Sequence, residues 1–178
     1  RLRVEAFSIR PAMALRFGLP RKPEAAHRLD KDTSGCLVLG RHPRAMAELN
    51  QMFRDGRIDK TYWAIVQGEP AQDEGLIDLP LAKRSPERGW WMKVDPEGAP
   101  SVTTWKVLGR ADDNGTPIAW LALEPLTGRT HQLRVHCAAM NWPIVGDTIY
   151  GRSPRSGGPP LHLHAREGAD LAEPGQVV

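Results

Sequence analysis

The sequence predicts a mixed α+β domain, built mainly on antiparallel strands with a few flanking helices. Three observations lead there. Segments with the β-branched and aromatic content of strands outnumber segments with helical periodicity. The turn sequence Asp113-Asn114-Gly115 joins two strand-like segments as a hairpin, which makes that pair antiparallel. Strands do not alternate regularly with helices, so repeated βαβ units are disfavoured.

In chain order, Val4, Ala6 and Phe7 could open a strand and Ala12 to Leu19 a short helix, interrupted by Pro11, Pro20 and Pro23. Thr33-Ser34-Gly35 reads as a tight polar turn and Cys36 to Leu39 as a short buried strand. Pro43 suits a first helical turn. Met46, Leu49, Met52 and Phe53 then recur at helical spacing as a core-facing stripe, and Gly56 ends the helix. Lys60 to Gly68 is a strand with Tyr62, Ala64 and Val66 on one face and Thr61, Trp63 and Ile65 on the other. Residues 69 to 100 are rich in glycine and proline and read as loops. Strands follow at Ser101 to Gly109 and Pro117 to Leu123. Thr130 is a good N-cap for a helix whose apolar stripe is Leu133, Cys137 and Met140, closed by Asn141 and Pro143. A polar loop, Ser153 to Pro160, precedes a last short strand in which His162 and His164 alternate with Leu161 and Leu163.

At 178 residues the chain is long enough for one well-filled core, and a single domain over 1–178 is expected. No apolar run approaches the roughly 20 residues that a spanning helix needs, and residues 1 to 20 do not resemble a signal peptide, so a cytoplasmic protein without membrane association is expected. Cys36 and Cys137 offer neither a disulfide framework nor paired metal spacing, and read as small core residues. No exposed apolar stripe stands out, which favours a monomer. The net charge of +3 is uneven: residues 1 to 31 hold eight Lys or Arg against three acids. A basic face of that kind suits a polyanion, because neutralised phosphates release counterions. Lys83, Arg84, Arg88 and Lys93 interleave with Trp90 and Trp91, a mixture that suits stacked bases and their phosphates, although the tryptophans could equally seal a core edge.

Chemistry concentrates at HRLDKDTSG, residues 27 to 35. His27, Arg28 and Lys31 surround Asp30, and nearby positive charge favours the ionised, nucleophilic form of a carboxylate. A bland role for Asp30, pairing with Arg28 or capping the turn, stands beside that one. Arg129, His131 and Arg134 crowd the start of the second helix, where free N–H groups and the helix dipole make a site for a carboxylate or a phosphate. Neither His131 with His136 nor His162 with His164 and Asp147 has the spacing of a zinc centre, so no metal is expected. No glycine-rich phosphate loop follows a strand, which argues against a nucleotide-dependent enzyme.

HRLDKDTSG at 27 to 35, KTYWAIVQG at 60 to 68, GRTHQLRVH at 128 to 136 and PIVGDTIYG at 143 to 151, closed by LHLHAR, together resemble the RluA-type RNA pseudouridine synthase family. The resemblance covers residues 27 to 166; residues 1–26 and 167–178 match it poorly, and a protein like the compact members, without an S4-type RNA-binding domain, is expected. It implies the family's catalytic fold and conversion of uridine in folded ribosomal or transfer RNA to its C-glycoside isomer, without cofactor or metal. Asp30 matches the catalytic aspartate, Tyr62 the tyrosine that stacks on uracil, and Arg134 the basic residue that pairs with the aspartate. Arg28 matches the residue thought to fill the gap left by a flipped nucleotide, and Thr33, Arg129 and Gln132 lie in the same motifs as RNA-binding positions. Two other readings are a non-catalytic RNA-binding module of the same fold and a hydrolytic N-glycosidase that releases uracil.

Overall fold

The computed structural model describes residues 21–85 and 90–166. The strand expected at Val4 to Phe7, the helix at Ala12 to Leu19 and Arg88 of the basic-aromatic cluster lie outside them.

A six-stranded sheet organises the chain in the order β2-β10-β4-β9-β8-β5. Its members are β2 (Ser34–Gly35), β4 (Thr61–Gln67), β5 (Glu74–Asp78), β8 (Val102–Asp113), β9 (Thr116–Pro125) and β10 (Leu163–Arg166). Every neighbouring pair is antiparallel except β2 with β10. Two small antiparallel pairs lie beside it: β1 (Glu24–Ala25) with β3 (Leu39–Gly40), and β6 (Leu81–Lys83) with β7 (Met92–Val94). With helices at α1 (Pro43–Arg54) and α2 (Gln132–Ala139), the domain is α+β and mainly antiparallel, as expected.

Alternation builds the core. In β9, Ala119, Leu121 and Leu123 are buried, while Trp120 between the first two and Glu124 after the last are exposed and Ala122 is half-buried. Ala64 and Val66 of β4, Ile77 of β5 and Trp105 of β8 join them, and Leu133 and Cys137 of α2 pack onto that layer. This apolar burial is the main force holding α2 to the sheet. The β8–β9 hairpin turns through Asn114 and Gly115 at φ 54° and 85°, the two positive values of a turn whose twist matches its strands. Nothing lies within 4 Å of a Cβ built on Gly115, so Gly115→Ala meets only backbone strain. It should cost about 1–2 kcal/mol, read as a lower urea midpoint with an unchanged slope.

Six expectations need correcting. Thr33-Ser34-Gly35 is not the turn: the turn lies at Lys31 and Asp32, and Ser34–Gly35 form β2. Cys36 to Leu39 is not one buried strand: β2 ends at Gly35, β3 begins at Leu39, and Cys36 is exposed. Gly35, at φ 114°, lets β2 pass against the Ala165 backbone, where any Cβ would collide, and the chain then diverges. The α1 stripe is only half-buried; Ala45 is the buried residue of that helix. Residues 69 to 100 contain β5, β6 and β7, hidden in the sequence because turn-forming residues break them into three- to five-residue pieces. Gly75 even lies inside β5, where the Trp105 ring occupies the room a side chain would need. The N-cap of α2 is His131 rather than Thr130, with no side-chain cap bond. Met140 at the end of the α2 stripe is exposed.

Candidate active site

A cleft of about 370 Å³ opens where the β1–β2 connection, the start of β4 and the start of α2 meet. Asp30, Tyr62, Arg134, Arg28, Thr33, Arg129 and Gln132 all line it. The sheet order brings together residues that lie far apart in the chain.

Asp30 sits in a turn closed by the Thr33 N–H, which donates to the Asp30 carbonyl at 3.0 Å. Its carboxylate Oδ2 accepts the His131 backbone N–H at 3.1 Å. The helix-start anion site read from the sequence is therefore occupied by a carboxylate of the chain itself. Arg28 Nη2 lies 3.8 Å from Asp30 Oδ1, and its side chain is 82% exposed, so it is free to reach a ligand. Tyr62 projects from β4, paired with Leu123 on one side and Ala165 on the other. Burial, with a smaller contribution from the Asp30 charge, raises the Tyr62 pKa, so its phenol keeps its proton at neutral pH.

Arg134 requires a correction. Its bidentate partner is Asp147, with Nε donating to Oδ2 at 2.8 Å and Nη2 to Oδ1 at 2.7 Å, both residues at most 3% exposed. Among the described residues the ion pair to Asp30 is made by Arg28. Arg134 still raises the positive potential at the cleft, since the Asp30 charge acts on it. Burial alone would lower the Arg134 pKa; the bonds and charge of Asp147 more than offset it. In the sequence Asp147 stands out only as a possible metal ligand; its Oδ1 also accepts the N–H groups of Ile149 and Tyr150 at 2.9 and 3.0 Å.

Gln132 is not a free RNA contact either. Its Oε1 accepts from Thr127 Oγ1 and the Arg129 N–H, and its Nε2 donates to the Val102 carbonyl and Thr103 Oγ1. With all four hydrogen-bonding sites filled and 4% exposure, it pins α2 to β8. Arg129 is exposed at the rim, with Nε on the Pro100 carbonyl at 3.2 Å. The Thr33 hydroxyl is buried without a hydrogen-bond partner among the described residues.

Sequence reasoning passed over Lys60 and Tyr150. Lys60 lines the cleft, and burial lowers its pKa. Strand alternation puts residues 60 and 62 on one face, a signal that could have found it. The Tyr150 hydroxyl lies 2.8 Å from His131 Nδ1 and accepts the Met92 N–H at 3.0 Å. Trp90, 52% exposed, meets the His131 ring edge-on at 6.1 Å, which brings the basic-aromatic β6–β7 hairpin to the cleft rim. Among the described residues no group of three or more His, Cys, Asp or Glu is placed to hold a metal, and no helix is long and apolar enough to cross a membrane.

Comparison with known proteins bears on the family of the chain. The RNA pseudouridylate synthase family matches residues 9–139, taking in residues 9–26, where the motifs alone gave no alignment. An uncharacterized RNA pseudouridine synthase of Zymomonas mobilis is 46% identical over 162 residues, covering 89% of this chain and 72% of the relative. The dual-specificity RNA pseudouridine synthase RluA of Escherichia coli K12 is 43% identical over 144 residues, covering 80% of this chain and 64% of the relative. The solved structure of human RNA pseudouridylate synthase domain containing 1 superposes with a TM-score of 0.73 at 34% identity, covering 80% of this chain and 62% of that one. For human domain containing 4 the values are 0.68, 27%, 82% and 66%. The chain thus spans roughly two thirds of the length of most of these proteins. Family match, sequence identity and fold agree, and the chain belongs to the RluA-type family of RNA pseudouridine synthases, which are isomerases.

Proposed function

We propose that this chain isomerises uridine to pseudouridine in structured ribosomal or transfer RNA, with Asp30 as the catalytic carboxylate acting on a nucleotide flipped into the cleft. The observation that carries this reading is the Asp30 carboxylate held by the His131 N–H in the same cleft as the protonated Tyr62 phenol. Asp30 acts on the ribose, at C1′ or at the C2′ proton, as the C1′–N1 bond breaks. Uracil turns, C5 bonds to C1′, the C5 proton leaves and N1 gains one. No water enters the balance, so one carboxylate suffices where hydrolytic glycosidases use two. Tyr62 stacks on the uracil and is the nearest phenol for a proton transfer. Arg28 and Arg129, exposed at the rim, bind phosphates, and Arg28 fills the gap left by the flipped base. The protein acts as a cytoplasmic monomer without cofactor or metal.

Incubation with uridine-labelled bulk transfer and ribosomal RNA, followed by nucleoside analysis, tests the reading. Pseudouridine is expected. Free uracil would replace it with hydrolysis, and salt-sensitive binding without product would favour an RNA-binding module. Arg129→Ala and Arg28→Ala should each weaken RNA binding and flatten the slope of log K against log salt by about 0.7–0.9, because each variant neutralises one phosphate fewer. Titration of binding across several salt concentrations reads both changes.

A further inference from the structure

Tyr150 neither touches Asp30 nor lines the cleft, but its hydroxyl lies 2.8 Å from the ring of His131, the residue that holds Asp30. His131 carries the N–H that binds Asp30, and it does so from a left-handed backbone, φ 53° and ψ 19°, which a side chain with a Cβ adopts at a cost. Its own side chain makes no cap bond to the helix. Besides its backbone bonds, the N–H donating to Asp30 and the carbonyl accepting the Val135 N–H, the residue is held by its ring. Nδ1 lies 2.8 Å from the Tyr150 hydroxyl, the two rings meet edge to face at 5.6 Å, and Trp90 meets the imidazole edge-on at 6.1 Å.

Burial lowers the His131 pKa, so the ring is neutral and one nitrogen accepts. Burial raises that of Tyr150, so the phenol keeps its proton. With its oxygen taking the Met92 N–H at 3.0 Å, Tyr150 has its O–H available to donate to Nδ1, an arrangement that puts the imidazole proton on Nε2. Tyr150 is itself fixed from two sides. Its N–H bonds Asp147 Oδ1, and the Arg134 guanidinium lies over its ring at 5.4 Å.

We propose that Tyr150 is a positioning residue for Asp30: its hydroxyl holds the His131 ring, thereby maintaining the left-handed backbone that aims the His131 N–H at the carboxylate. This rests on the reading of Asp30 as the catalytic group. The link also ties the β6–β7 hairpin, through Met92, to the same carboxylate.

Tyr150→Phe removes the hydroxyl and keeps the ring under Arg134. Its kcat should fall on the order of tenfold, the cost of one orienting hydrogen bond, with KM for RNA within about twofold. In an H131G background, where glycine adopts the positive φ freely and the ring tether no longer exists, Tyr150→Phe should add no further loss. His131→Gly should also retain more kcat than His131→Ala, because alanine keeps the strain without the tether. The measurement is pseudouridine formation by these variants beside Asp30→Asn. Full activity of Tyr150→Phe, an added loss in the H131G background, or H131A at or above H131G would each overturn the proposal. An active Asp30→Asn protein would instead overturn the reading on which it rests.

Discussion

Asp30→Asn is expected to abolish pseudouridine formation, a loss of at least about a thousandfold, while RNA binding stays close to wild type. The substitution is nearly isosteric, and its amide oxygen can still accept the His131 N–H that now bonds Oδ2 at 3.1 Å. What it removes is the anionic oxygen able to act on ribose, and among the described residues no other carboxylate lines the cleft. Stability should change by less than about 1 kcal/mol, because the ion pair with Arg28 is long, at 3.8 Å, and solvent-exposed. Nucleoside analysis after incubation with RNA, beside a binding titration, separates the chemistry from the affinity. Turnover comparable to wild type would remove Asp30 from the reaction.

Which parts of this arrangement were legible in the sequence follows from whether they depend on local or distant partners. The β8–β9 hairpin was, since Asp113-Asn114-Gly115 encodes its own turn and alternation encodes its buried face. Asp30 and Tyr62 were legible as motif residues, and strand alternation placed Tyr62 on the face it occupies. The anion-binding start of α2 was legible from its cations and free N–H groups; local sequence left carboxylate and phosphate open, and only the resemblance linked this helix to Asp30, which is 101 positions away from His131. Gln132 looked like an RNA contact from its motif. Only the approach of β8 shows that Val102 and Thr103 satisfy its amide. Arg134 was expected beside Asp30; its stronger partner is Asp147, thirteen residues on, across a loop that local periodicity does not encode. Strands β5 to β7 failed for a different reason. They are short, carry glycine or flanking proline, and owe their form to pairing rather than propensity.

The Arg134–Asp147 pair gives the largest expected effect on stability. Both side chains are at most 3% exposed, so removing one partner leaves the other charged, buried and uncompensated. Asp147→Asn should therefore cost about 3–5 kcal/mol, measured by chemical denaturation. The same pair predicts an acid limit. Burial by itself would raise the Asp147 pKa, but the Arg134 bonds, together with the Tyr150 and Ile149 N–H groups, outweigh it and leave the pKa below the ordinary carboxylate value. A carboxyl depressed on folding contributes stability that is fully present above its unfolded pKa of about 3.9 and is lost as pH falls through the folded value. Wild-type stability should accordingly drop steeply below about pH 4, and Asp147→Asn should flatten that part of the profile. Replacing both members with apolar residues, Arg134→Met with Asp147→Val, should recover part of the stability that the single variant forfeits, since no buried charge is then left unpaired while the Ile149 and Tyr150 N–H groups lose their acceptor. It should not recover turnover, because Arg134 also supplies positive charge to the cleft holding Asp30. Recovery of both would reduce the pair to a packing element, whereas stability without turnover shows that the pair also serves the cleft.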